Sequence, residues 1–166
     1  MGNALRDGTA AAKGEFVVWT MADLSDDYNI IPKFVERLES GADLVFGSRY
    51  MKGGTSGDLE KSKRFLGLGF TTLSRILIGV PVHDITNAFR GFKRDVFLSS
   101  DIKSVDFSIS PEFSLKAHLR GYKLEEVPAS YKGRKKGAAK FKMFDMGIRY
   151  FSILIEAISL KLRKRY

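Results

Sequence analysis

Three carboxylates, Asp23, Asp26 and Asp27, follow closely on the apolar run Phe16–Trp19. Acidic residues just beyond a short buried strand stand where open α/β sheets bind their ligands. The same residues also suit the cap and first turn of a following helix, and this stretch by itself fits both readings. Cations occupy comparable places. Ser48 and Arg49 close a second apolar run, Asp43–Phe46, where a guanidinium can take a phosphate bidentately or simply sit in a surface turn. Lys63 and Arg64 open an apolar helix and face either an anion or solvent. Asp84 and Arg90 share a stretch, Asp84–Arg94, that mixes acid, base and aromatics too tightly for an amphipathic helix or strand. They are either functional side chains on a strand or an ion pair with each other. Arg134 and Lys140 lie in a loop of glycines, alanines and cations suited to wrapping a diphosphate or RNA. Glu112 is either a site carboxylate or an ordinary first-turn acid. His83 and His118 are too far apart in sequence for a metal-spaced pair, so neither is given a ligand role.

The elements that must position these groups read as alternating strands and helices. An alanine-rich segment, Ala4–Lys13, predicts a helix leading into the strand Phe16–Trp19. Apolar residues at helical spacing from Ile30 to Leu38, with Pro32 in the first turn and Gly41 past the end, predict a helix lying on the sheet. The strand Asp43–Phe46 follows. Met51–Lys63, with Gly53-Gly54-Thr55-Ser56-Gly57 at its centre, reads as a loop that opens over a ligand or as a plain solvent loop. Phe65–Ile78 is an apolar helix, and Asp84–Arg94 is read as a strand. A helix is predicted to start with Ser110 as N-cap and Pro111 at its first position. Lys123–Pro128 reads as an edge strand because of its proline. A last helix spans Met143–Leu162, its apolar bulk ending in Lys161-Leu162-Arg163-Lys164-Arg165.

Composition narrows the classes. The chain has 166 residues with 44% hydrophobic content, enough for one domain with a proper core. It has no cysteine, which excludes disulfides and thiolate metal sites and suits a reducing compartment. No uncharged apolar run reaches the roughly 18 residues of a membrane span. Serine-hydrolase, Walker-type, HExxH and GxGxxG signatures are all missing from the sequence. The net charge of +9 belongs to the end of the chain, because residues 132–166 carry 11 Lys or Arg against 2 acidic residues. Such a basic segment calls for an anionic partner.

Taken in order, VVWTMADLSDD, GADLVFGSRY, KSKRFLGLGFTTLSRILIG, DITNAFRGFKRDVF, GYKLEEVPASY and GRKKGAAK resemble the family-two glycosyltransferases of the GT-A fold. The branch similar to dolichyl-phosphate mannose or glucose synthases and bactoprenol glucosyltransferases is the nearest in pattern. The likeness covers Gly2 to about Lys142. It implies an α/β fold, with a GT-A-like (Rossmann-like) mixed sheet flanked by helices. Residues 1–142 would form the carboxyl-terminal part of that domain and residues 143–166 a basic amphipathic helix. The amino-terminal strands that bind base and ribose are expected to be missing, since nothing before Phe16 supplies them.

The resemblance also implies roles. A divalent cation, Mg or Mn, would sit at the family's Asp-x-Asp motif, which here reads Met21-Ala22-Asp23, leaving Asp23 as metal and donor ligand with Asp26 as helper. Arg134 and Lys140 would hold the donor diphosphate, in a loop where Ala139 replaces the family's serine and the spacing is longer by two. Arg49, Lys63 and Arg64 would meet the acceptor phosphate, and Gly67 stands where relatives often carry serine. Asp84 and Arg90 are the implied catalytic pair. Because a polyprenyl phosphate already presents an anionic oxygen, Asp84 is assigned to positioning rather than to proton abstraction. The implied function is transfer of a hexose from UDP- or GDP-hexose to a polyprenyl, dolichyl-type, phosphate. The implied setting is peripheral, on the anionic surface of a membrane's cytoplasmic face, with no nucleic acid partner. The competing reading is an inactive remnant that binds anionic lipid or RNA through its basic tail.

Overall fold

A computed structural model describes residues 1–133 and 143–163. Its sheet has four strands in the order β1-β3-β2-β4, built from β1 (Phe16–Trp19), β2 (Leu44–Ser48), β3 (Arg90–Lys93) and β4 (Leu124–Pro128). β3 runs antiparallel to both β1 and β2, whereas β4 pairs parallel with β2. Strands β1, β2 and β4 therefore point the same way, and their carboxyl ends share one edge with the loop that enters β3. Pro128 ends β4 on the outside of the sheet, where its missing N–H breaks no ladder.

Helices cover both faces. Helix α2 (Ile31–Glu39) lies on one, burying Phe34 and Leu38 against Val45, Phe89, Val127 and Ala129. Its apolar residues recur at helical spacing, and Gly41, at φ +97°, carries the chain out of it in a conformation that a side chain would disfavour. The opposite face holds the larger core, where Trp19, Leu44, Phe46 and Phe92 meet Phe97, Phe113, Leu115, Tyr150 and Leu154. Those partners come from α4 (Arg94–Ser99), α5 (Ile109–Leu119) and α6 (Met143–Arg163), with α3 (Lys61–Leu77) packed on α6. Trp19, Phe92, Phe97 and Phe113 form a cluster of edge-to-face and tilted rings with centroids 5.0 to 5.9 Å apart. Helix α1 (Gly2–Ala11) attaches through Thr9, whose hydroxyl accepts from the Trp19 indole at 2.9 Å.

Several expectations shift. The first helix begins two residues earlier than its alanine pattern suggests. Only Arg90–Lys93 of the Asp84–Arg94 segment is a strand; residues 84–89 are a loop, and Arg94 already opens α4. Helix α5 starts at Ile109, with Asp106 taking the Ser108 N–H, so Pro111 sits inside the first turn, where its lack of an N–H costs nothing. The 51–60 loop is tied down: Thr55 N–H donates to Ala129 O, and Tyr131 N–H donates to Thr55 O.

Register explains two side chains. Arg90 faces Trp19 on one neighbour and Phe46 on the other, so its guanidinium points into the larger core. Gly91 faces Val18 and Val45 on the other side, where Phe34 of α2 would stand 2.9 Å from an added Cβ. Gly91→Ala should therefore push α2 off the sheet at a cost of about 1 to 3 kcal/mol, read as a lowered midpoint in thermal or urea unfolding.

Candidate active site

At the shared strand edge lies a cavity of about 410 Å³. Its walls include Met21, Asp23 and Ser25 from the loop after β1, Arg49 from the end of β2, and Asp58, Glu60, Lys63 and Gly67 from the α3 entrance. Thr86, Asn87 and Ala88 line it from the loop before β3, Tyr131 and Gly133 from the segment after β4, and Tyr150 from α6.

The wall after β1 is a tight, cross-stitched turn. Asp23 accepts from the Ser25 N–H at 3.1 Å, and Leu24 adopts φ +59° between them. Asp26 accepts from the Met21 N–H at 2.8 Å, closing the loop on itself. Asp26 also bridges to Tyr131, and Lys132 N–H donates to Ser25 O, so the acidic loop and the chain after β4 hold each other. Burial pushes the Asp26 carboxyl up to about 6, opposed by the Met21 N–H and reinforced by the charge of Asp23. Asp26 therefore organises the loop and does not line the cavity. Asp27 caps the short turn Tyr28–Ile30 that enters α2.

The opposite wall is built on Asp84. This carboxylate is fully buried and accepts Arg49 Nε at 2.7 Å, Arg49 Nη2 at 3.0 Å and the Arg49 N–H at 3.2 Å. The Thr86 hydroxyl and the Asn87 N–H complete its shell at 3.1 and 3.2 Å. Burial works against the Arg49 charge, but the charge and hydrogen bonds of Asp84 outweigh it and raise the guanidinium pKa above its ordinary value. Lys63 stands beside them and pairs with Glu60 at 2.8 Å. Gly67 belongs to the same wall: an added Cβ would meet Thr86 Oγ1 at 2.9 Å and Tyr50 Oη at 3.2 Å. Among the described residues, the buried Tyr50 hydroxyl has no hydrogen-bond partner.

Sequence-selected residues thus divide. Asp23, Arg49 and Lys63 line one cavity, with Asp84 directly behind Arg49. Arg64 is exposed and is not among the residues that line it. Among the described residues Arg90 pairs with no carboxylate: it donates to the Ser110, Ile85 and Asn87 carbonyls and to Ser114 Oγ, and lies 4.9 Å from the Phe46 ring centroid. Burial lowers its pKa to about 9, against the charge of Asp84. Of the two readings of Asp84 and Arg90, the ion pair between them is not formed: Asp84 pairs with Arg49 instead, because the strand register turns Arg90 into the core. Glu112 is also structural, taking Lys116 Nζ at 2.6 Å and the Lys103 and Ser104 N–H groups. Arg134 and Lys140 lie outside the described residues. The sequence reading passed over Tyr131, Thr86, Asn87 and Tyr150; a tyrosine set among the apolar residues of the last helix was the signal for Tyr150.

No three histidine or carboxylate side chains converge as a metal cage among the described residues. Asp23 offers one hard oxygen donor on the cavity wall. That fits an ion such as Mg²⁺, which is commonly held by one or two carboxylates with the remaining positions filled by substrate phosphates and water.

Comparison with known proteins gives a family match and relatives in sequence and in fold. The family model described as glycosyl transferase family 2 matches residues 1–99. The chain is 31% identical over 141 residues to a polyprenol monophosphomannose synthase of Mycolicibacterium smegmatis, covering 77% of this chain and 53% of that protein. It is 31% identical to a dolichyl-phosphate hexose transferase of Haloferax volcanii, over 88% of this chain and 62% of that one. The fold resembles glucosyl-3-phosphoglycerate synthase from Mycobacterium tuberculosis in complex with UDP, with a TM-score of 0.73, 15% identity, and coverage of 96% of this chain and 55% of the other. The same enzyme with Mn²⁺, UDP and phosphoglyceric acid gives a TM-score of 0.69. This chain spans little more than half the length of these proteins.

Asp26 gives a pH signature. Its folded pKa lies above its ordinary 3.8, so its contribution to stability is complete below about pH 4 and lost as pH rises through 6. Asp26→Asn keeps an acceptor for the Met21 N–H and removes the buried charge. It should stabilise the fold at pH 7.5 by on the order of 2 kcal/mol, with the difference vanishing near pH 4, as read from urea unfolding at both pH values.

Proposed function

Since the chain belongs to glycosyl transferase family 2, we propose that it forms the acceptor-side part of an enzyme moving a hexose from a nucleotide sugar to a polyprenyl phosphate. The observation that carries this reading is a single cavity with a carboxylate, Asp23, on one wall and the cations Arg49 and Lys63 on another. The names of the two curated relatives, a polyprenol monophosphomannose synthase and a dolichyl-phosphate hexose transferase, support the acceptor class. UDP in the structural relative supports a nucleoside diphosphate donor, UDP- or GDP-linked.

An oxygen of the acceptor phosphate attacks the anomeric carbon, and the bond from that carbon to the diphosphate breaks, the electron pair leaving with the nucleoside diphosphate. The attacking oxygen is already anionic, so no base is required and the protein's work is orientation. Arg49, held by both carboxylate oxygens of Asp84, presents its guanidinium in one fixed pose. Lys63 supplies a mobile charge once Glu60, whose side chain is largely exposed, swings aside. Mg²⁺ or Mn²⁺ bound beside Asp23 would neutralise the departing diphosphate. Arg134 and Lys140 are assigned to the donor diphosphate as well.

The place of action is a membrane surface, on its cytoplasmic side. No described helix is long and apolar enough to cross a membrane. Helix α6 instead leaves Phe144, Ile148, Phe151, Ile155 and Leu162 exposed at helical spacing, and Phe65 and Ile76 of α3, which packs on α6, are exposed as well. An apolar helix face next to a cationic terminus suits the headgroup boundary of an anionic bilayer. Lys161 is partly engaged, donating to the Leu77 and Ile78 carbonyls at the end of α3.

Two measurements test this reading. In calorimetry with UDP plus Mn²⁺ and with farnesyl phosphate, Asp23→Asn should weaken the nucleotide about tenfold and spare the prenyl phosphate, whereas Lys63→Gln should do the reverse. Equal affinities across all three proteins would remove the two-pole assignment. Sedimentation with phosphatidylserine vesicles should show binding that falls with salt and falls several-fold in a Phe144→Ser, Phe151→Ser double variant. Preference for single-stranded RNA over these vesicles at physiological salt would overturn the membrane reading.

A further inference from the structure

Each cation on the acceptor wall already has a carboxylate. Arg49 is matched by Asp84 and Lys63 by Glu60, so the described part of this wall offers a dianionic phosphate little net charge. Such a wall can still bind a phosphate if it presents neutral donors at fixed positions, because hydrogen bonds to charged oxygens are the strong ones. Arg49 alone has part of its fork spent on Asp84 and Thr86.

Tyr150 meets that need. It lines the cavity together with Arg49, Lys63, Gly67 and Thr86 and is almost wholly buried. Its ring packs against Phe70 of α3 with centroids 4.9 Å apart, which fixes its direction. On α6 it belongs to the inward face with Met146, Leu154 and Ala157. Burial raises the phenol pKa, the Arg49 and Arg90 charges opposing and the Asp84 and Asp106 charges adding to it, so the hydroxyl keeps its proton throughout the neutral range. A buried, protonated phenol on a cavity wall is a hydrogen-bond donor. Gly67 has no side chain to crowd this corner of the cavity.

We propose that Tyr150 is a binding residue for the acceptor, its phenol O–H donating to a non-attacking oxygen of the phosphate monoester seated at Arg49. This rests on the acceptor assignment made above. It makes α6, whose outer face is apolar, a part of the site through its inner face. A neutral donor orients the phosphate without cancelling the charge that makes its remaining oxygen nucleophilic.

The test compares Tyr150→Phe with Lys63→Gln, using farnesyl phosphate and UDP with Mn²⁺ as calorimetric probes at low and high salt. Tyr150→Phe should weaken farnesyl phosphate about tenfold, leave UDP–Mn²⁺ and the unfolding midpoint unchanged, and keep its ratio to the unmodified chain at high salt. The Lys63→Gln ratio should shrink with salt, as expected of a charge. If Lys63→Gln weakens farnesyl phosphate and Tyr150→Phe does not, the Tyr150 assignment is wrong while the acceptor wall stands. If neither weakens it, the acceptor reading falls and takes Tyr150 with it. A Tyr150→Phe loss shared equally by both probes and the unfolding midpoint would make the residue structural and likewise overturn the proposal.

Discussion

The buried fork between Arg49 and Asp84 is the constraint on which the site depends. Asp84 is taken out of water completely, and an uncompensated carboxylate there would cost several kcal/mol. It is met by five hydrogen bonds, drawn from the backbone and side chain of Arg49 and from Thr86 and Asn87. Asn87 in turn donates to Gly47 O at 2.8 Å. The loop before β3 is thereby bolted to the end of β2, two segments 35 or more residues apart in the chain. Removing either charge would leave the other stranded, so the pair fixes the loop and the guanidinium together.

Arg90 shows the contrasting solution for a buried cation. It has no carboxylate and is carried by carbonyl dipoles and the faces of Phe46 and Trp19. Burial without a paired counter-charge lowers its pKa, while Arg49, with a full counter-charge, moves the other way. Two arginines that look alike in sequence thus have different work: one ties the sheet to α5, the other is presented to a cavity.

This difference marks how far the sequence could be read. Strand and helix identities followed from apolar period and from Pro32, Gly41 and Pro128, because those signals are local. The mixed sheet flanked by helices and the family likeness were also legible. The partner of Asp84 was not, since proximity in sequence favoured Arg90, and only the register Trp19–Arg90–Phe46 reveals which face that side chain takes. The part of Asp26 was equally hidden: a carboxylate's value as a ligand or as a loop-closing acceptor turns on whether a backbone N–H, here that of Met21, reaches it first. Tyr150 stood out in the sequence only as a tyrosine among apolar residues, and its place on the cavity wall needed the tertiary fold.

A last consequence concerns charge. The chain is strongly basic, yet the cations of the described cavity are already balanced by neighbouring carboxylates. Its excess positive charge belongs to residues 132–166, which include the loop assigned to the donor and the end of α6. Attraction of anions from a distance and recognition of them at the cavity are therefore distinct effects, even though residues 132–166 contribute to both. The first is a long-range field, weakened by salt. The second rests on a fixed set of short hydrogen bonds, less sensitive to salt than the field, which a displaced loop or helix would destroy.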